Sequence, residues 1–238
     1  MADKDTRAVV LLSGGVDSST TLAIAANRGY KLHAVTFHYG QKADLEVESA
    51  RKVAEFFDVS QHVVLPLALG QLGHSALTDD QVLVPENSPA RTPSSKDEIP
   101  PTYVPARNTV FLAYALAIAE ITDSSYIFIG VTSVDYSGYP DCRPEYIEAA
   151  QNLARFATKQ ALEKHPPKIE TPLLSMSKAD IIRWGISLDV DYSVTLSCYK
   201  PDEKGRACGR CDSCRLRLEA FRQAGLEDPA PYQNGVEK

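Results

Sequence analysis

Seven residues, Ser13 to Ser19 (SGGVDSS), constrain this chain more than any other feature, because they join an apolar β-like run, Ala8 to Leu12, directly to a helical stretch, Asp17 to Asn27. A strand that turns through two glycines into a helix begins a crossover, and Lys31 to Tyr39 supplies the next strand with β-branched residues. Lys42 to Phe57 then carries Leu45, Val53 and Phe56 among charges, as an amphipathic helix does, and Gln61 to Leu65 reads as a third strand. Alternation of this kind predicts an α/β fold built on a parallel doubly wound sheet with helices on its faces.

Further along, Thr78 to Pro105 holds six prolines and sustains neither regular element; it reads as a long functional loop, the alternative being a disordered insertion. Regularity returns as a helix at Asn108 to Ile121 and a strand at Tyr126 to Gly130, then breaks at VTSVDYSGYPDCR. Pro144 opens a helix expected over Glu145 to Lys164, since a proline at the first helical position gives up no intrahelical bond. Lys168 to Glu170 is a short strand, Ser177 caps a helix reaching Leu188, and a last helix spans about Asp212 to Ala224. With 238 residues and 44% apolar content there is material for one sizeable core and a small appendage. The longest apolar stretch, Val110 to Ala119, stops at Glu120, short of the roughly 18 residues that suggest a membrane span. The charged start, MADKDTR, lacks the apolar segment of a secretory signal, so a cytoplasmic protein with reduced thiols is expected. A balance of 25 Lys and Arg against 31 Asp and Glu, net −6, argues against nucleic acid as a partner.

The glycine turn is an anion cradle: glycines let the backbone expose its N–H groups, and the helix start behind them favours phosphate. It has neither the lysine of the G-x-x-x-x-G-K-[ST] loop nor the length of G-x-G-x-x-G. Instead SGGVDSS resembles the loop of the ATP pyrophosphatases, which hold the β,γ-phosphates of ATP and cleave between α and β. The nucleotide-binding residues on that reading are Leu12, Ser13, Gly14, Gly15, Val16, Asp17, Ser18 and Ser19. The serine hydroxyls would donate to phosphate oxygens. An acid beside a polyanion needs an intervening cation, so Asp17 is expected to help hold Mg²⁺, the alternative being simple stabilisation of the helix start.

Four of the five cysteines, Cys198, Cys208, Cys211 and Cys214, crowd into the spacing Cys-x(9)-Cys-x(2)-Cys-x(2)-Cys. Four thiolates complete the shell of a structural Zn²⁺ and leave no open position, although an iron–sulfur cluster uses the same donors. Cys142 stands apart in YPDCRPE, either a buried small hydrophobe or a reactive thiol.

Taken together, SGGVDSST, YGQK (39–42), VPARN (104–108), DYSGYPDCRPE (135–145), SKADII (177–182) and SCYKP…CGRCDSC (197–214) resemble the 7-cyano-7-deazaguanine synthase family of the queuosine pathway, over about residues 8 to 225. One departure is visible: the family usually has Arg-His after YGQ, where this chain has Lys42 and Ala43. The resemblance implies an adenine nucleotide alpha-hydrolase-like domain over 1–190 and a zinc-bound helical lobe over 191–238. It also implies an ATP- and Mg²⁺-dependent ligase, commonly a homodimer, that turns 7-carboxy-7-deazaguanine and ammonia into the nitrile. The route has two rounds: the carboxylate is adenylated and captured as an amide, then the amide oxygen is adenylated and AMP departs.

The base-like substrate is expected beyond the strand ends, near the broken segment after the fourth strand. There Asp135, Asp141 or Glu145 would accept the N–H donors of a guanine-type edge, while Tyr136 or Tyr139 stacks on the ring. Arg107 and Arg143 would meet the substrate carboxylate or the α-phosphate with a planar fork, and together with Asp17 they are the expected catalytic residues. Two rival functions stay open on sequence grounds: a tRNA-thiolating ATP pyrophosphatase, and a nucleic-acid-binding zinc module drawing on Lys200, Lys204, Arg206, Arg210 and Arg215.

Overall fold

The computed structural model describes residues 6–42, 45–86, 99–133 and 138–236. Five strands, β1 (Arg7–Leu11), β2 (Lys31–His38), β3 (Gln61–Pro66), β4 (Tyr126–Phe128) and β5 (Lys168–Glu170), form one sheet in the order β3-β2-β1-β4-β5 with every pairing parallel. The chain therefore winds outward from β1 to β3, then returns to the other side of β1, so a crevice opens between the ends of β1 and β4. This is the parallel doubly wound α/β class expected from the alternation.

β1 is buried on both faces, and its side chains alternate between two cores. Val9 and Leu11 face a core formed with α3 (Arg107–Thr122) and α4 (Pro144–Ala154), through Leu112, Ala115, Leu116 and Ile147. Ala8, Val10 and Leu12 face the opposite way onto α1 (Val16–Asn27) and α2 (Leu45–Phe56), through Leu22, Ala25, Val53 and Ala54. Helix α1 is buried nearly all round, because its outer side packs on α6 (Lys178–Ser187) and α7 (Asp212–Ala224) through Ile24, Ile181, Ile182 and Phe221. Its buried Thr20 hydroxyl donates to the Val16 carbonyl at 2.8 Å and lies 2.6 Å from the Tyr192 hydroxyl, which satisfies both groups.

The single helix expected over Glu145 to Lys164 is two. Helix α4 ends at Ala154, and α5 (Lys159–Glu163) restarts after Thr158, whose hydroxyl accepts from the Ala161 N–H at 3.2 Å. Gln160 then docks on the end of α3: its amide N–H donates to Glu120 and its side chain to the Ser124 carbonyl. The side-chain cap and this docking outweigh helix continuation. Of the proline-rich segment, residues 87–98 lie outside the described residues. Its first part is tied down by Lys42, whose Nζ donates to the carbonyls of Asp79 at 2.7 Å and Val82 at 3.3 Å. Among the described residues, no helix is long and apolar enough to cross a membrane.

Candidate active site and metal centre

A cavity of about 300 Å³ opens at the carboxyl ends of β1, β2 and β4, and Leu12, Ser13, Gly15, Val16, Asp17 and Ser18 form one end of it. The turn that shapes this end is held by its own hydroxyls. Ser18 Oγ accepts from the Ser13 N–H at 3.1 Å and lies 3.0 Å from Ser13 Oγ. Ser19 Oγ donates inward to the Gly15 carbonyl at 2.8 Å and is fully buried, so it and Gly14 do not line the cavity. Gly14 has φ +82, and a Cβ there would lie 2.5 Å from the Ala50 nitrogen and 2.6 Å from the Glu46 carbonyl oxygen. Only a glycine lets the first turn of α2 rest on the loop. No side chain caps α1, whose first N–H groups and dipole are left facing the cavity.

Asp17 does not cap that helix either. Its Oδ2 is 2.5 Å from Lys178 Nζ, and its Oδ1 is buried with no hydrogen-bond partner. Buried carboxylate oxygens are rarely left unpaired, so this one fits a hard cation such as Mg²⁺.

Arg107 also lines this cavity; it is the first residue of α3, following Ala106 in the left-handed conformation at φ +53. Its Nη1 donates to the Tyr39 hydroxyl at 3.2 Å, and its guanidinium carbon lies 5.9, 6.0 and 5.8 Å from the rings of Tyr39, Phe111 and Tyr139. Aromatic faces on this scale attract a cation and hold the fork in place. Tyr139 lines the cavity and donates to Thr102 Oγ1 at 2.9 Å.

Other expected site residues are placed elsewhere. Asp141 is buried and its Oδ2 accepts the Asn108 N–H at 2.9 Å, so it secures the first turn of α3 and does not face the cavity. Arg143 and Glu145 are exposed and do not line it. Asp135 and Tyr136 lie outside the described residues. Conversely, Glu46, Tyr39, Lys178, Tyr199 and Cys142 line the cavity without having been assigned to it. Tyr39 and Lys178 carried a signal, one ending a strand and the other following a helix cap; Glu46 carried none. Desolvation pushes the Glu46 carboxyl up to about 8, with the Arg107 charge working against it.

The four clustered cysteines are buried, and their sulfurs all lie within 4.8 Å of one another, Cys208 Sγ and Cys214 Sγ being 3.9 Å apart. Tetrahedral Zn–S bonds of about 2.3 Å require sulfurs about 3.8 Å apart, so the set fits a four-sulfur metal site. Backbone N–H groups support it: those of Lys200 and Cys208 donate to Cys198 Sγ, and those of Arg210 and Cys211 donate to Cys208 Sγ. Glu86, bridged to Cys211, takes ion pairs from Lys200 at 2.9 Å and Arg210 at 3.3 Å, and the Lys200 hydrogen bond holds its carboxyl below the ordinary range. The metal lobe thereby anchors the start of the proline-rich segment.

Comparison with known proteins agrees with this geometry. A family model described as "QueC: Queuosine biosynthesis protein QueC" matches residues 7–225. The chain is 54% identical over 228 residues to the 7-cyano-7-deazaguanine synthase of Saccharophagus degradans, covering 96% of this chain and 98% of the relative. It is 53% identical to that of Alcanivorax borkumensis, covering 95% and 99%, and 51% identical to that of Hydrogenovibrio crunogenus, covering 99% and 100%.

Proposed function

The chain belongs to the family of queuosine biosynthesis protein QueC, and on that premise we propose that it is the ATP-dependent ligase that converts 7-carboxy-7-deazaguanine and ammonia into 7-cyano-7-deazaguanine. The observation that carries this reading is one cavity lined both by an anion cradle and by the caged Arg107 fork. On this reading a nucleoside triphosphate meets the cradle and an acidic acceptor meets the fork.

On this reading Ser13, Gly15 and Ser18 with the open start of α1 receive the β,γ-phosphates, and Leu12 and Val16 wall the nucleotide. Lys178 adds a cation at the same end. Mg²⁺ carried in with ATP would be held by Asp17 through its unpaired oxygen and would neutralise charge on the departing pyrophosphate. Arg107 orients the acceptor carboxylate or the α-phosphate, and Tyr139 offers a ring face to the deazaguanine. Asp141 is already engaged by Asn108 and Glu145 faces solvent, so neither is proposed for the guanine-type edge, and Asp135 lies outside the described residues. Adenylation makes a poor leaving oxygen a good one, first on the carboxylate and then on the amide, so a single site serves both rounds.

Cys198, Cys208, Cys211 and Cys214 would hold Zn²⁺ in a closed, structural site that pins residues 191–238 to the α/β unit of residues 1–190. The described cysteines are all free of disulfides, in keeping with a cytoplasmic enzyme. Lys200, Arg206 and Arg210 are engaged with Glu86 and Asp202, which speaks for small molecules and against nucleic acid as partners. For the homodimer, the exposed apolar side chains Ile121, Leu153, Phe156 and Leu162, carried on α3, α4, α5 and their connections, are proposed to supply the face. Sedimentation of the wild type and of Phe156→Glu tests it, the variant being expected as monomer.

The decisive assay is formation of AMP and pyrophosphate that depends on both 7-carboxy-7-deazaguanine and ammonium. Filter binding of tRNA beside it separates the ligase from a tRNA-thiolating enzyme.

A further inference from the structure

The nitrogen that becomes the nitrile sheds protons. Adenylation of the amide oxygen forms an O–P bond, releases pyrophosphate and removes one N–H proton; cleavage of the C–O bond then expels AMP with its electron pair, and the last N–H proton leaves as the triple bond forms. A base beside the reacting carbon is needed for this, and equally to take a proton from ammonium in the first round.

Most titratable groups around the cavity are engaged or protonated. Asp17 is paired with Lys178 at the phosphate end. The phenol of Tyr39 receives a hydrogen bond from Arg107, and burial pushes its pKa up. Tyr139 donates to Thr102, and the Tyr199 phenol is a neutral donor near pH 7. Cys142 Sγ accepts from Asn108 Nδ2 at 3.4 Å. Glu46 differs: it lies in the first turn of α2, held against the cradle by the packing on Gly14, and lines the same cavity as Arg107. Among the described residues its carboxyl has no hydrogen-bonded partner.

We propose that the Glu46 carboxylate is the catalytic base of the ligase: it takes one N–H proton from the amide as its oxygen is adenylated, passes that proton to solvent, and is thereby ionised again to take the last N–H proton as AMP departs. The inference rests on the ligase reading above. Glu46 is suited to the role because its backbone abuts the cradle glycine and its carboxyl, under the Arg107 charge, lines the cavity that the cradle and Arg107 share. The desolvation that raises its pKa to about 8 also makes it a stronger base once ionised, while the Arg107 charge from α3 favours the ionised form.

The test uses 7-amido-7-deazaguanine and ATP in single turnover, a reaction that needs no ammonia, so its pH profile is free of ammonium. Wild type is expected to form the nitrile along a limb that rises with pH through about 8. Glu46→Gln should slow this step by about 10²-fold or more and abolish the limb, and the loss should exceed by at least about 30-fold any loss in carboxylate-dependent ATP–pyrophosphate exchange, which removes no N–H proton. Glu46→Asp should recover part of the rate with a displaced limb, and it carries the test if the glutamine variant does not fold. Equal losses in both reactions, or nitrile formation by Glu46→Gln with the limb intact, overturn the proposal. A wild type inert with amide and ATP overturns the ligase reading and this inference with it.

Discussion

Lys178 Nζ lies 2.5 Å from Asp17 Oδ2, so two segments 161 positions apart meet at the mouth of the glycine turn. Both side chains are about a quarter exposed, and such a pair contributes at most about 1 kcal/mol to stability. Its value is one of position: on the proposed reading the ammonium group stands where phosphate charge would accumulate, and the pair leaves the second Asp17 oxygen unpaired. Asp17→Asn and Lys178→Ala are each expected to cut AMP formation by about 10²-fold with thermal melting nearly unchanged. Melting curves beside a steady-state assay check both halves of that expectation; a large drop in melting temperature for Asp17→Asn would return this residue to a helix-stabilising role.

Arg107 and Arg143 were equivalent as sequence but are not as structure. The first is enclosed by three rings and the Tyr39 hydroxyl; the second is exposed. Lysine keeps the charge and loses both the fork and the stacking. Arg107→Lys should therefore lower turnover by about 10²-fold, and Arg143→Lys should leave it within about twofold, as read from kcat for nitrile formation.

Purified protein is expected to be colourless and to carry one equivalent of zinc, measured by elemental analysis. Stripping the metal with a chelator, or Cys208→Ser, should lower the melting temperature sharply, since structural zinc supplies on the order of 10 kcal/mol in small zinc peptides. Proteolysis should then begin in residues 191–238 and in the segment anchored through Glu86. A brown protein with visible absorption would assign the cluster to iron and sulfur.

Arg217 and Asp228 form a bidentate ion pair, 2.7 and 2.9 Å, with almost no exposure, and the same guanidinium donates to the carbonyls of Thr195 and Tyr192. Burial alone raises the Asp228 carboxyl, but the Arg217 hydrogen bonds and charge outweigh it and hold it below the ordinary carboxylate range. A depressed folded pKa stabilises the fold fully above the unfolded value of about 3.9, and that contribution is lost as pH falls through the folded value. Asp228→Asn should cost about 3–5 kcal/mol at pH 7 by stranding the buried guanidinium. The cost should shrink in strong acid, a trend that denaturant melts at several pH values will follow.

Much of this protein is readable from local chemistry. An apolar run marks β1 and β-branched residues mark β2, the glycine turn marks the strand-to-helix entry, and Ser177, whose hydroxyl accepts the Asp180 N–H, marks the start of α6. Each is legible because the forces involved act within a few residues. The break between α4 and α5 was not, since it depends on Gln160 reaching the end of α3.

The sequence by itself determined the class of sheet, the cradle and the four-sulfur set, because periodicity, turn geometry and ligand spacing are properties of neighbours along the chain. Only the tertiary structure decided which acids face the cavity. Asp141 was drawn away to hold Asn108, and Glu46 was carried in, when α2 settled on a glycine that has no side chain to keep it off. Strand order and helix packing bring distant residues together, and no local pattern encodes that meeting.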